Sequence, residues 1–116
     1  MKKTQQKLEK RNRRHRKIRS KIFGTTDIPR LSVFKSNKHI SAQIIDDQNS
    51  KTIVSAHSRE VKGKSLMEKS ALVGGIIATK AKAKKITSIV FDRGGFKYIG
   101  NIKALADGAR AGGLKF

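Results

Sequence analysis

Residues 30–57 read RLSVFKSNKHISAQIIDDQNSKTIVSAH, and this stretch decides the fold. Apolar and polar side chains alternate in three runs. Arg30–Ser36 puts Leu31 and Val33 on one face and Phe34 on the other. His39–Asp46 keeps Ile40, Ala42 and Ile44 in phase, and Lys51–His57 is a third run. Ser36-Asn37-Lys38 and Asp47-Gln48-Asn49-Ser50 are short polar turns between them. Period-two alternation broken by tight turns specifies an antiparallel meander.

The chain after the meander turns helical. Ser65-Leu66-Met67-Glu68 is a capping box, with Ser65 as N-cap and Glu68 reaching back. Met67, Ala71, Gly74, Ala78 and Ala81 recur at helical spacing, flanked by Leu66, Val73 and Ile77. The small residues let such a helix lie close to its neighbours, and Gly74-Gly75 points to close packing. Lys80, Lys82, Lys84 and Lys85 close it, where the helix dipole favours cations. Thr87–Phe91 is a short apolar strand of the kind buried on both faces. Asp92-Arg93-Gly94-Gly95 breaks it. Asn101–Ala111 is a second helix with Ile102, Leu105, Ala106 and Ala109 inward, ended by Gly112-Gly113. In a meander the third strand runs parallel to the first. A right-handed helical return then lays the fourth strand beside the first. The expected fold class is α/β: a mixed four-stranded sheet of order 3-2-1-4, strand 2 antiparallel, with helices covering it.

Upstream, the chain changes character. The first 22 residues hold eleven Lys and Arg and one acid, Glu9, which is half of the net charge of +20. They lack Gly and Pro and favour helix, but like charges crowd at helical neighbours such as Lys10 and Arg14. The expectation is a basic helical arm over residues 1–23, frayed alone and ordered on a polyanion. Gly24–Pro29 then forms a hinge into a single domain over residues 24–116, a length that suits one hydrophobic core.

Composition narrows the function. Self-repulsion of this size is relieved by a polyanion, so a basic arm on a folded body reads first as a nucleic-acid binder. The chain has no Cys, which removes disulfides, thiol nucleophiles and cysteine metal sites. No apolar run approaches the ~20 residues of a membrane span, so no membrane partner is expected. The basic N-terminus lacks the apolar segment of a secretory signal.

Two segments suit RNA contact. Asp92–Tyr98 follows a strand and precedes a helix, a place where α/β sheets put ligand sites. Its glycines allow close backbone approach to a phosphate, its Arg93 and Lys97 supply charge, and Phe96 or Tyr98 offers a ring to stack on a base. Ordinary turn chemistry explains the same glycines equally well. The second segment is the Lys35–His39 turn, whose small polar and basic side chains suit sugar and phosphate. Catalysis is poorly served. Only Asp92 of the acids is well placed, His15, His39 and His57 lack metal-ligand spacing, and no nucleophile triad forms. No catalytic residue, metal or cofactor is expected. The competing reading is a metal-dependent nuclease on a related fold.

Beyond physics, two long stretches resemble one family. They are Pro29–Ile40 with Ala42–Asp47, and Val90–Tyr98 with Gly100, Lys103–Asp107 and the ending Gly113–Phe116. Together with the basic arm and the helix at Val73-Gly74, they are similar to the bacterial-type large-subunit ribosomal protein eighteen family. The resemblance spans nearly the whole chain. It departs from the family pattern at Ser41, Ile99 and Asn101, where an aromatic, a His and an Arg are usual. It implies a three-layer domain of ribonuclease-H-like topology without catalytic carboxylates. It also implies a structural constituent of the ribosome, cytoplasmic or organellar. Such a protein binds 5S rRNA and helps attach it to the large-subunit rRNA in the central protuberance, beside neighbouring ribosomal proteins. Matched by position, the RNA-facing residues it implies are Lys10, Arg11, Arg13, Arg14, Arg16, Lys17 and Arg19 in the arm. In the domain they are Arg30, Lys35, Ser36, Asn37, Lys38, Arg93, Gly94, Gly95, Lys97, Tyr98 and Lys103.

Overall fold

The computed structural model describes residues 10–14, 16, 23–94, 96, 98 and 100–116. Three strands form the meander: β1 (Arg30–Lys35), β2 (Ile40–Asp46) and β3 (Lys51–His57). Helix α1 (Leu66–Ala83) follows, then strand β4 (Val90–Asp92) and helix α2 (Asn101–Ala111). The sheet order is β3-β2-β1-β4, with β2 antiparallel to both neighbours and β4 parallel to β1. The α/β topology expected from the alternation is therefore present.

Register explains the burial. Leu31 pairs with Ile44 and Val33 with Ala42, and Ala42 with Ala56 on the next strand. These side chains share one face and join Val73, Ile77, Ile102 and Leu105 from the helices in one core. Both helices thus cover the same face. Residues 10–14 and 16 are helical. Arg11 and Asn12 share a cavity of about 170 Å³ with Ser32, Phe34, Gly94 and Phe96. The arm therefore meets the opposite side where β1 and the loop after β4 come together.

Two glycines set the distance between the helices. A Cβ on Gly74 would run into the backbone oxygen of Leu105 and sit 2.8 Å from the amide of Ala109. A Cβ on Gly108 would run into the oxygen of Ala71. The helices touch backbone to backbone, and this rotates α1 from its expected setting. Its buried side is Ser70, Val73, Gly74, Ile77, Ala78 and Ala81, while Met67 is 52% exposed and Ala71 is exposed. The apolar stripe thus included two positions that face out. The cap forms as expected: Ser65 Oγ accepts from the Glu68 amide at 3.1 Å. Glu68 reaches one residue further back than in the usual box, to the amide of Lys64 at 3.1 Å.

β4 also differs from expectation. It keeps the expected edge place in the sheet order, but it is only three residues long, and Val90 and Phe91 are half-buried rather than enclosed on both faces. The residues before it pair with the chain's end instead: the Ile89 amide donates to Lys115 O at 3.1 Å, and the Lys115 amide to Thr87 O at 2.9 Å. Nor is Gly24–Pro29 an open hinge. The Gly24 amide donates to Asp47 Oδ2 at 2.7 Å, and the Asp47 amide returns to Gly24 O at 3.0 Å. Thr26 Oγ1 donates to Asp46 Oδ2 at 3.0 Å, and Asn49 Nδ2 donates to the same oxygen at 2.8 Å. The amides of Gln48 and Asn49 bond Asp46 Oδ1 at 3.0 and 3.3 Å. The segment is clasped onto the β2–β3 turn.

Two expectations follow. Gly75 has nothing within reach of an added Cβ, unlike its neighbour Gly74. Gly75→Ala should gain about 0.5–1 kcal/mol of stability through helix propensity. Gly74→Ala should lose about 1–3 kcal/mol by overpacking. Urea unfolding that moves both the same way contradicts the helix contact. The second concerns Asp46. The Asn49 side-chain bond, against the opposing effect of burial, and then the Thr26 and backbone bonds hold its carboxyl below the usual 3.8. Its stabilisation is therefore present above that value and lost as the pH falls through the lowered one. Asp46→Ala should unfold more easily at pH 7, and its stability should fall less steeply below pH 3.8 than the parent's. Parallel acid curves would rule this out.

Candidate nucleic-acid interface

The face that α1 and α2 leave uncovered carries Ser32, Phe34, Ser41, Gln43, Ser55 and His57. Phe34 pairs with Ser41 and Ser41 with His57, so these three form a row across the meander. Phe34 is 57% exposed. Its ring meets Phe96 edge-on at 6.1 Å, and the Arg11 guanidinium lies over Phe96 at 5.0 Å. Arm, sheet and the loop after β4 therefore converge on one aromatic patch.

The turn between β1 and β2 projects from the same end. Ser36, Asn37 and Lys38 are exposed and Lys35 is half-buried. The Ser36 amide donates to His39 O at 2.9 Å and the His39 amide to Ser36 Oγ at 3.3 Å. Ser36 thus closes the turn, which offers Asn37 and Lys38 outward. Lys103 is exposed on the first turn of α2. In the arm, Lys10, Arg13 and Arg16 are exposed, and Arg11 and Arg14 half-buried. Lys17, Arg19, Gly95 and Lys97 lie outside the described residues.

Arg30 departs from the expected RNA-facing set. It is 8% exposed and bound on two sides. Its Nε and Nη2 donate to the two Asp47 oxygens at 3.0 and 3.1 Å, and Nη1 donates to Asp92 Oδ2 at 2.8 Å. Burial works against its charge. Hydrogen bonds and the field of Asp47, then those of Asp92, outweigh that and hold the guanidinium above its ordinary value. The resemblance alone set Arg30 among the RNA-facing residues; its partners stand 17 and 62 positions away, beyond the reach of local alternation.

The loop after β4 is built around Asp92, which is fully buried. Its Oδ1 accepts the Gly94 amide at 2.9 Å, so it caps the loop and pairs with Arg30 rather than Arg93. Gly94 has φ +66°, and an added Cβ would sit 2.5 Å from Val33 O. Its glycine is required by the fold itself. Tyr98 is held inward: its ring meets Phe91 edge-on at 5.7 Å, and its hydroxyl accepts from Arg110 at 2.8 Å. Phe96 is the ring of this loop on the open face, and its amide donates to the carbonyl of the half-buried Arg93 at 3.1 Å. Among the described residues no three His, Asp or Glu side chains converge as a metal site.

The structure brings together one group that sequence spacing did not. His39 and His57 lie 5.2 Å apart, ring centre to ring centre. With Phe34, Ser36, Ser41 and Arg59 they line a hollow of about 210 Å³. The signal was cross-strand register, which metal-ligand spacing does not test.

These features define a small, strongly basic α/β protein with helices on one sheet face and an aromatic and polar surface on the other. Residues 5–116 match the family described as ribosomal L18 of archaea, bacteria, mitochondria and chloroplast. The chain is 51% identical over 116 residues to large ribosomal subunit protein uL18 of Thermomicrobium roseum, covering 94% of each. It is 52% identical over 108 residues to the protein of that name from Lactiplantibacillus plantarum, covering 91% of this chain and 92% of the relative. For the Thermotoga petrophila protein the figures are 50% over 120 residues and 98% of each. The chain belongs to the ribosomal L18 family. Members are named as ribosomal proteins, so the nuclease reading falls and the chain is not an enzyme.

Arg30→Ala should take this guanidinium from the buried Asp92 and the half-buried Asp47 and cost about 3–5 kcal/mol of stability. Urea unfolding measures it. A loss under about 1 kcal/mol would show that the buried pairs do not hold these segments.

Proposed function

We propose that this chain is a structural component of the large ribosomal subunit, active in translation through assembly rather than chemistry. It binds 5S rRNA and helps attach it to the large-subunit rRNA in the central protuberance, against neighbouring ribosomal proteins. Charge alone does not choose the binding face, because Lys82, Lys84 and Lys85 lie exposed on the helix side. The observation that carries the reading is the uncovered sheet face. It joins an exposed aromatic, a basic turn and the arm on one side, the combination that RNA recognition uses: phosphate contacts for affinity and rings for unpaired bases. The names of the relatives support the assignment to the large subunit. On this reading residues 1–23 are an RNA-contacting arm and residues 24–116 the folded domain. Within the domain, Asn37, Lys38 and Arg93 make the contacts. Arg30 is left out because it is buried, Lys35 because it pairs with Ile40 on the face that the helices cover, and Lys103 because it stands on α2.

The test is titration of 5S rRNA at several salt concentrations. With ~6–10 phosphate contacts, affinity should fall roughly 10³- to 10⁵-fold between ~50 and ~200 mM salt, taking the duplex-DNA relation as guide. Lys38→Ala should weaken binding and lower the salt slope by about one, with an unchanged melting temperature. Equal affinity for 5S rRNA and an unrelated RNA of the same length would sink the 5S assignment.

A further inference from the structure

We propose that the hollow at the open-face end of β1, β2 and β3, between Phe34, His39, His57 and Arg59, holds one unstacked nucleobase of a looped RNA. The proposal rests on the RNA-binding reading above and deepens it: the partner presents an unpaired base here, not only a duplex backbone.

Size comes first. At about 210 Å³ the hollow is below the ~300–1,000 Å³ of drug-sized ligand sites and suits a single planar ring system. Its walls fit such a guest. Phe34 and His57 stand at the two ends of the Phe34–Ser41–His57 row, with His39 tilted 46° to His57. Rings of this kind, imidazole included, are the surfaces on which splayed bases stack. Ser36 and Ser41 line the same space and offer hydroxyls that both donate and accept. Arg59 adds a cation at the rim, where the nucleotide's phosphate would follow its base.

The two histidines are arranged for neutral contact. His57 Nδ1 accepts the Arg59 amide at 3.0 Å, so its proton stands on Nε2. His39 Nδ1 is 3.2 Å from Ser58 Oγ. Each ring therefore meets a ligand through Nε2 or its face. Burial first, then the positive fields of Arg59, Lys69 and Lys38, hold the His39 imidazolium below its usual value of 6.5. A neutral ring stacks without adding to the repulsion. A paired duplex keeps its bases inside the helix and cannot fill this hollow, whereas a loop can.

Two variants and two RNAs test it, all on the full chain. Phe34 is exposed, so Phe34→Ala should fold with an unchanged melting temperature. It should bind 5S rRNA roughly 5- to 150-fold more weakly, the range for loss of one stacked base. Its affinity for a blunt RNA duplex without unpaired bases should stay within about twofold. His57→Ala should behave the same way, and His57→Phe, which keeps a ring, should restore binding. His57 lies outside the Arg11–Phe96 cavity, so this pair separates the two hollows. Equal losses on both RNAs, or none on either, overturn the proposal. An unstructured RNA dodecamer carrying one 2-aminopurine gives a readout independent of 5S rRNA. The parent should quench its fluorescence and Phe34→Ala should not; absence of quenching by the parent also overturns the proposal. If the parent binds 5S rRNA no better than the duplex, the 5S assignment fails, and the quenching arm alone decides the hollow.

Discussion

Arg30 is the side chain that three separate segments share. Its guanidinium joins Asp47 in the β2–β3 turn to Asp92 at the end of β4, and Asp47 in turn receives the Gly24 amide at the entrance to the domain. A buried ion pair adds little net stability over an apolar replacement, but removing one partner is costly, so its value here is register. With Arg30 in place, β4 lies beside β1 in parallel, Asp92 Oδ1 caps the Gly94 amide, and Phe96 arrives next to Phe34. The proposed RNA surface therefore depends on a cation that does not itself face RNA.

The helices divide the molecule into two sides by a different device. Gly74 and Gly108 let α1 and α2 meet through their backbones, so both fit over one face of a four-stranded sheet. The other face is left with polar side chains, Phe34 and the histidine pair. A protein of net charge +20 needs a polyanion to relieve its repulsion. The uncovered face, the Ser36–Lys38 turn and the arm offer that polyanion one continuous side.

Most of the fold was legible in the residues. Alternation with two-to-four-residue turns is a local code, so β1, β2 and β3 appear within a residue or two of their expected bounds. α2 ends where its apolar spacing and Gly112-Gly113 end it. What failed was non-local. The stripe on α1 turned away from Met67 because small residues pack by backbone approach, which side-chain hydropathy does not register. β4 shortened because the chain's own end competes for the residues before it. The site was less legible than the fold. Arg30 was set among RNA-facing residues by the resemblance but is buried, Tyr98 turned inward onto Phe91 and Arg110, and Gly94 has a conformational reason to be glycine. His39 and His57 became neighbours only through strand register.

The central claim is that RNA is held on the side of the sheet that the helices leave open. Lysine acetylation footprinting, read residue by residue on the free chain and on its complex with 5S rRNA, tests this most directly. Lys38 should become protected in the complex, while Lys82, Lys84 and Lys85 at the end of α1 keep the reactivity of the free chain. Protection of the α1 lysines with Lys38 still reactive would place the RNA on the helix side and contradict the account.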